Sequence, residues 1–245
     1  MQLSIFGVIR GIFSPHSKDR EKEITKIQGE DHAYIRGSIT DRGPCPGLNS
    51  LANQGYLPRD GKNITLPRVE AALMTTLHMD RVLAHTLAIQ LKPLCRADGT
   101  FDLVDMRRHN VIERDVSFSR LDFRHGDNYT FQPAMFDAML KDTEPEGLTT
   151  VDTLAKTYRR RTQEEKESGA AQLPINLYFV SLVQTVSFLH TAEVGGRMKR
   201  EVLEEFFREE RFPEVVTQNK QTRRLMGLIG MTLRLAVKLW FGGKK

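Results

Sequence analysis

Apolar residues recur mainly at spacings of three and four and almost nowhere alternate with polar ones, so the pattern predicts helices and very little strand. Pro67 opens a run with Val69, Leu73, Leu77, Leu83, Leu87 and Leu91 and no internal Gly or further Pro, which predicts one long helix over 67–91, ended by Pro93. Asp98 and Gly99 turn the chain before a short apolar run at 101–104. Pro133 then opens a short helix to Leu140, and 151–167 reads as a charged helix with a solvated face. Pro174 starts a strongly apolar helix to about Ala192; after a turn at Gly195 and Gly196, a helix over 199–211 has Phe206 and Phe207 on its core side. Ahead of these, the first forty residues read as an arm, with an apolar start, a solvated charge run at 18–26 and turn residues at 37–43. The expected fold class is all-α, a single helical domain with long loops.

Composition narrows the classes. With 245 residues, 40% hydrophobic and 27% charged, the chain can build a core, and global disorder and a polytopic membrane protein are both excluded. The net charge of +5 is mild, names no partner, and nucleic acid is not expected as one. Two cysteines, Cys45 and Cys95, cannot make a disulfide framework. Residues 1–13 lack a basic leading region and a small-residue cleavage site, so no secretory signal is read and an intracellular location is expected. The sequons at Asn63 and Asn128 then carry no interpretation.

Residues 223–245 surround a narrow stripe of Gly227, Gly230, Arg234 and Lys238 with apolar side chains, and they are short for a membrane span. The expectation is an interfacial helix with Trp240 at headgroup level and cations on anionic lipid. A helix packed on this domain or on a second subunit stays open as the alternative.

The most specific stretch is Arg42, Gly43, Pro44, Cys45, Pro46, Gly47, Leu48, Asn49. Two prolines remove N–H donors and fix φ on both sides of Cys45, so the sulfur is aimed rigidly and preset as a ligand. A lone cysteine in a loop is more often a small buried hydrophobe. Here Pro-Cys-Pro-Gly-Leu-Asn, with Leu51, Ala52, Asn53, Gln54, Gly55, Tyr56 and the residues up to Gly61, resembles the proximal segment of the fungal haem-thiolate peroxidases, the family of chloroperoxidase and the unspecific peroxygenases. The resemblance implies Cys45 as axial thiolate of haem b, with hydrogen peroxide as co-substrate. It runs from about Gly43 to Pro213, giving a domain at 43–213 between an N-terminal arm, 1–42, and a C-terminal basic amphipathic segment, 214–245.

Ile112, Glu113, Arg114, Asp115, Val116 and Ser117 resemble the family's segment that binds magnesium beside a haem propionate, so the resemblance implies Mg²⁺ at Glu113 and Ser117, both hard oxygen donors. By itself Glu113 reads as a helix-surface carboxylate. The segments at 126–133 and 206–213 also resemble family segments and read as scaffold.

The chain departs from the family at the groups that move the peroxide proton. Relatives use a Glu assisted by a His or an Arg; the matching positions here are Gln184 and Arg114, and Gln has no titratable proton. These two are the expected catalytic pair, acting through hydrogen bonds, unless the register slips and places His190 or Glu193 at the site. Channel-lining Phe residues of relatives correspond to Ile112 and Ser187, which implies a differently shaped pocket. The leading expectation is peroxide-dependent oxidation or oxygenation of one lipophilic, natural-product substrate. Redox-neutral haem-dependent cyclisation, isomerisation or dehydration, and non-enzymatic haem or lipophile binding, are the alternatives. A homo-oligomer is left open.

Overall fold

The computed structural model describes residues 18–113, 115–169 and 175–242, of which the side chains of 175–177 are left aside. Arg114 and residues 1–17 therefore lie outside the described residues.

In chain order the helices are α1 (Lys18–Gln28), α2 (Pro46–Asn53), α3 (Leu66–Leu77), α4 (Arg81–Ala88), α5 (Pro133–Lys141), α6 (Val151–Glu167), α7 (Ile175–Ala192), α8 (Arg200–Arg208), α9 (Glu214–Thr217) and α10 (Leu225–Phe241). The described strands, β1 (Ile64–Thr65) and β2 (Thr100–Phe101), form one antiparallel pair with Ile64 opposite Phe101. The architecture is all-α, as the pattern predicts.

Local chemistry starts the helices at 133 and 151 where the sequence places them, and Pro133 occupies the first turn of α5; α2, which the pattern does not predict, likewise has Pro46 in its first turn. Thr150 accepts from the Thr153 N–H, and Thr153 reaches back to the Thr150 N–H, so α6 opens on a reciprocal cap.

The expected long helix over 67–91 is two helices. Thr65 caps the start of α3, His78 ends it in the left-handed region at φ 50°, and Asp80 caps α4 by accepting from the Leu83 N–H at 2.8 Å. The break is held from far along the chain. Arg223 N–H donates to the His78 carbonyl, its own carbonyl accepts from Asp80 N–H, and the His78 ring meets the Thr217 carbonyl. No local Gly or Pro is needed when tertiary pairing supplies the break.

The charge run at 18–26 is also more than a solvated arm. It lies in α1, which packs on α3 and buries Ile27 and Arg20; the Arg20 guanidinium is 3.0 Å from Glu70, whose other oxygen meets His85 Nδ1 at 2.8 Å. At the other end, α10 packs on α7 and α6 and buries Leu228, Met231 and Leu235. One apolar core thus includes residues before 43 and after 213.

Candidate active site around Cys45

Cys45 sits at the N-cap of α2 with extended backbone, on the wall of a cavity of about 650 Å³. That volume falls within the roughly 300–1,000 Å³ usual for cofactor and ligand sites. Burial pushes the Cys45 thiol up, while the N–H groups of Leu48 and Gly47 pull it down; Glu210 raises it and Arg120 lowers it. The sulfur is therefore held by the open end of a helix, where unsatisfied N–H groups favour an anion.

The loop around Cys45 is stitched to distant segments. Asn49 accepts from the Gly43 N–H at 3.1 Å and donates to the Gly43 carbonyl and to Glu210 Oε1, each at 2.8 Å. Arg120 reaches the same Glu210 oxygen at 2.8 Å, and all three side chains are buried. Asn53 donates to the Glu210 carbonyl, while its own oxygen takes two N–H bonds from the fully buried Arg42. Gln54 exchanges both of its amide bonds with the Phe212 backbone. Gly43 is required by close approach, since a Cβ there would lie 2.4 Å from the Leu103 carbonyl oxygen.

The cavity brings together every described residue expected at the site: Cys45, Ile112, Glu113, Ser117, Gln184 and Ser187 all line it. Arg114 falls outside the described residues. His190 and Glu193 do not line it; His190 is buried beneath α10, with burial and Arg223 pushing its ring below the ordinary histidine value. Gln184, from α7, donates to the Ile112 carbonyl at 3.3 Å and so ties its helix to the loop after 111.

Glu113 is buried. Burial pushes its carboxyl up, and its hydrogen bond to His109 Nδ1, 2.8 Å away, pulls it down. His109, Glu113 and Asp115 offer ligand atoms that all lie within 4.8 Å of one another. Ser117 Oγ accepts the N–H groups of Ser119 and Arg120.

The structure adds residues that sequence reasoning missed. Arg120 and Glu210 form the buried ion pair behind Cys45, and Arg161, on the helix expected to be merely solvated, is also buried. Arg161 donates to the Ser117 carbonyl and Asp122 Oδ2, while Asp122 Oδ1 accepts the Val116 N–H at 2.7 Å. This clamp holds Val116 at φ 70°, a costly conformation for a β-branched residue. Nothing in local periodicity signals such pairs; the turn at 126–128 and the Phe206 to Pro213 segment marked only that these parts are scaffold.

Residues 32–222 match the family described as peroxidase, family 2. Among curated relatives, an aromatic peroxygenase of Coprinellus radians is 27% identical over 73% of this chain and 78% of its own length. A chloroperoxidase of Leptoxyphium fumago is 28% identical over 44% of the chain, and the dothistromin biosynthesis peroxidase dotB of Dothistroma septosporum is 29% identical over 59%. The chain spans only 33% and 40% of those two relatives.

Proposed function

This chain belongs to the family 2 peroxidases, the fungal haem-thiolate group, and from that premise we propose that it is a haem enzyme using hydrogen peroxide to oxidise or oxygenate one lipophilic substrate. The observation that carries the reading is the Cys45 sulfur at the N-terminus of α2 on the wall of a large apolar cavity. The residues present fit a haem. Cys45 supplies the thiolate ligand. On the same wall Arg120, whose Nε is buried with no hydrogen-bond partner among the described residues, supplies positive charge for an anionic edge such as a propionate. Thiolate-ligated haem supplies the activation of a peroxide O–O bond.

The chain's own residues do the rest. Helix-end N–H groups and Arg120 favour the charged form of the Cys45 sulfur. Apolar side chains such as Leu73, Phe206 and Leu233 exclude water and favour a lipophilic substrate. Gln184 can donate or accept a hydrogen bond but cannot relay a proton. Among the described lining residues the carboxylic acids are Glu113 and Asp115, so a proton is held and returned at Glu113, with His109 behind it.

No observation of the site supports the magnesium ion expected at Glu113 and Ser117, and no step is derived through one. One oxygen of Glu113 is bonded to His109, and the Ser117 hydroxyl accepts two N–H groups.

A role in making a natural product is supported by the likeness to the dothistromin biosynthesis peroxidase and by Ile112 and Ser187 on the cavity wall. The amide at 184 favours a second reading, redox-neutral conversion of a bound substrate. Mass spectrometry of products from the haem-loaded protein, with and without hydrogen peroxide, separates the two. Oxygen insertion or dehydrogenation that needs peroxide is expected; conversion at equal rate without oxidant would transfer the assignment to the redox-neutral reading.

A further inference from the structure

Helix α10 turns two different faces outward from its axis. Its inner seam, Leu228, Met231 and Leu235, is buried, and Gly227 presses so closely on His190 that a Cβ there would come within 2.6 Å of the ring. On the far side Met226, Ile229, Leu233, Val237 and Trp240 fall within an arc of roughly 80° at 100° per residue. All are exposed, Met226 at 73%, Leu233 at 61% and Trp240 at 71%. Phe241 and, from α7, Phe179 are exposed as well. A contiguous apolar patch of this kind marks an interaction surface.

The two edges of the arc say what covers it. Along one edge stand Arg234 and Lys238, both exposed, with Lys238 ion-paired to Asp152; Arg224, also exposed, stands at the start of the helix. No acidic residue follows Glu214 in the sequence, so the segment is cationic throughout. Along the other edge Leu225 and Thr232 line the cavity, and Ile229 and Leu233 belong to both the arc and the cavity wall. Trp240, whose indole N–H donates to the Tyr178 hydroxyl, holds an amphipathic ring at the outer end. Among the described residues no helix is long and apolar enough to cross a membrane.

We propose that the outer face of α10 docks on an anionic lipid bilayer, with the apolar arc in the acyl boundary, Arg234 and its cationic neighbours on headgroups, and the cavity opening beside the lipid. An apolar face bordered by cations is complementary to such a surface in both hydrophobicity and charge, and a lipophilic substrate would enter along Ile229 and Leu233 without crossing water. The route of entry rests on the cavity being the substrate site; the docking does not.

Sedimentation of the full chain with vesicles of phosphatidylserine and phosphatidylcholine tests it, because binding needs neither haem nor peroxide and its failure would leave the active-site reading standing. Wild type should pellet with the anionic vesicles, less so as salt rises, and retain part of its affinity at high salt. The combined change Val237→Ser, Trp240→Ser, Phe241→Ser should lower partitioning by at least ~100-fold, since three large apolar side chains leave the lipid. Arg234→Glu should lower it by at least ~5-fold at low salt, and it decides the question alone if the triple variant does not fold. Failure of wild type to pellet, equal pelleting of wild type and Arg234→Glu at low salt, or a concentration-dependent dimer lost in the triple variant without any vesicle binding would overturn the proposal; the last would assign the face to a second copy of this chain.

Discussion

Cys45 stands on a wall stitched together from four parts of the chain, whereas Gln184 stands on a helix face with one hydrogen bond of its own, to the Ile112 carbonyl, among the described residues. Behind the thiol, Arg42, Asn49, Asn53, Arg120 and Glu210 fix one another through buried bonds spanning up to 161 residues of sequence. Near Gln184, Ser187 bonds among the described residues only back into its own helix. A metal ligand must be held in place while its charge is stabilised, which demands redundancy. A wall that meets substrate can be retuned by one side chain at a time. The segment that resembles the family's proximal motif lies on the stitched wall, and the positions read from the sequence as departures, 184 and 187 on α7 and 112 on the adjoining loop, lie on the other.

The largest expected effect breaks the rigid wall. Glu210→Ala removes the carboxylate shared by Arg120 and Asn49 and leaves a buried guanidinium without its counter-charge, which typically costs about 3–5 kcal/mol. Denaturant unfolding should show that loss, with the midpoint shifted and the slope unchanged. A loss below about 1 kcal/mol would mean that the network is dispensable and the contrast between the walls overstated.

Next in size is Gln184→Glu, which places a titratable group on the other wall. If the native amide relays no proton, peroxide turnover on generic peroxidase dyes should rise by roughly 10²-fold or more. Glu113→Gln, which removes the group that holds the proton in the native protein, should lower the rate; an unchanged rate in Gln184→Glu would mean that Glu113 already carries all proton handling.

The smallest effect concerns the clamp between the walls. Burial and the hydrogen bond with Glu165 raise the Asp122 carboxyl to about 7, Arg161 opposing, while Glu165 itself is held low by Asp122 and by its Arg124 and Arg161 neighbours against its own burial. A carboxyl raised in the folded state gives stability that is complete below its unfolded value, near 3.8, and is lost as pH rises through about 7. Stability should therefore decline from about pH 5 to 7 and level off above, with a slope no greater than the single-group limit of about 1.4 kcal/mol per pH unit, and Asp122→Asn should flatten that decline. The same slope in both proteins would remove Asp122 as its source.

The contrast between walls also explains what was legible in the sequence. Pro44, Cys45 and Pro46 announce the rigid loop because proline acts on the backbone locally, and the N-terminal proline of α5 places that helix for the same reason, whereas the helix that follows Cys45 is not read from the pattern. Gln184 and Glu113 could be placed only through the family's spacing, which the cavity brings together. The break at His78, the burial of Arg20 in α1, the Arg120–Glu210 pair and the Arg161 clamp were not legible. Each depends on a partner dozens of residues or more away, and a charged residue in a polar run looks the same whether it faces solvent or a buried carboxylate.

The central claim is that Cys45 is a haem ligand. It is tested most directly by the absorption spectrum of the haem-loaded, reduced protein under carbon monoxide. The account predicts the red-shifted Soret band of thiolate ligation in wild type and its absence in Cys45→Ala. A wild-type protein that never shows that band, or a Cys45→Ala variant that keeps it, would contradict the account.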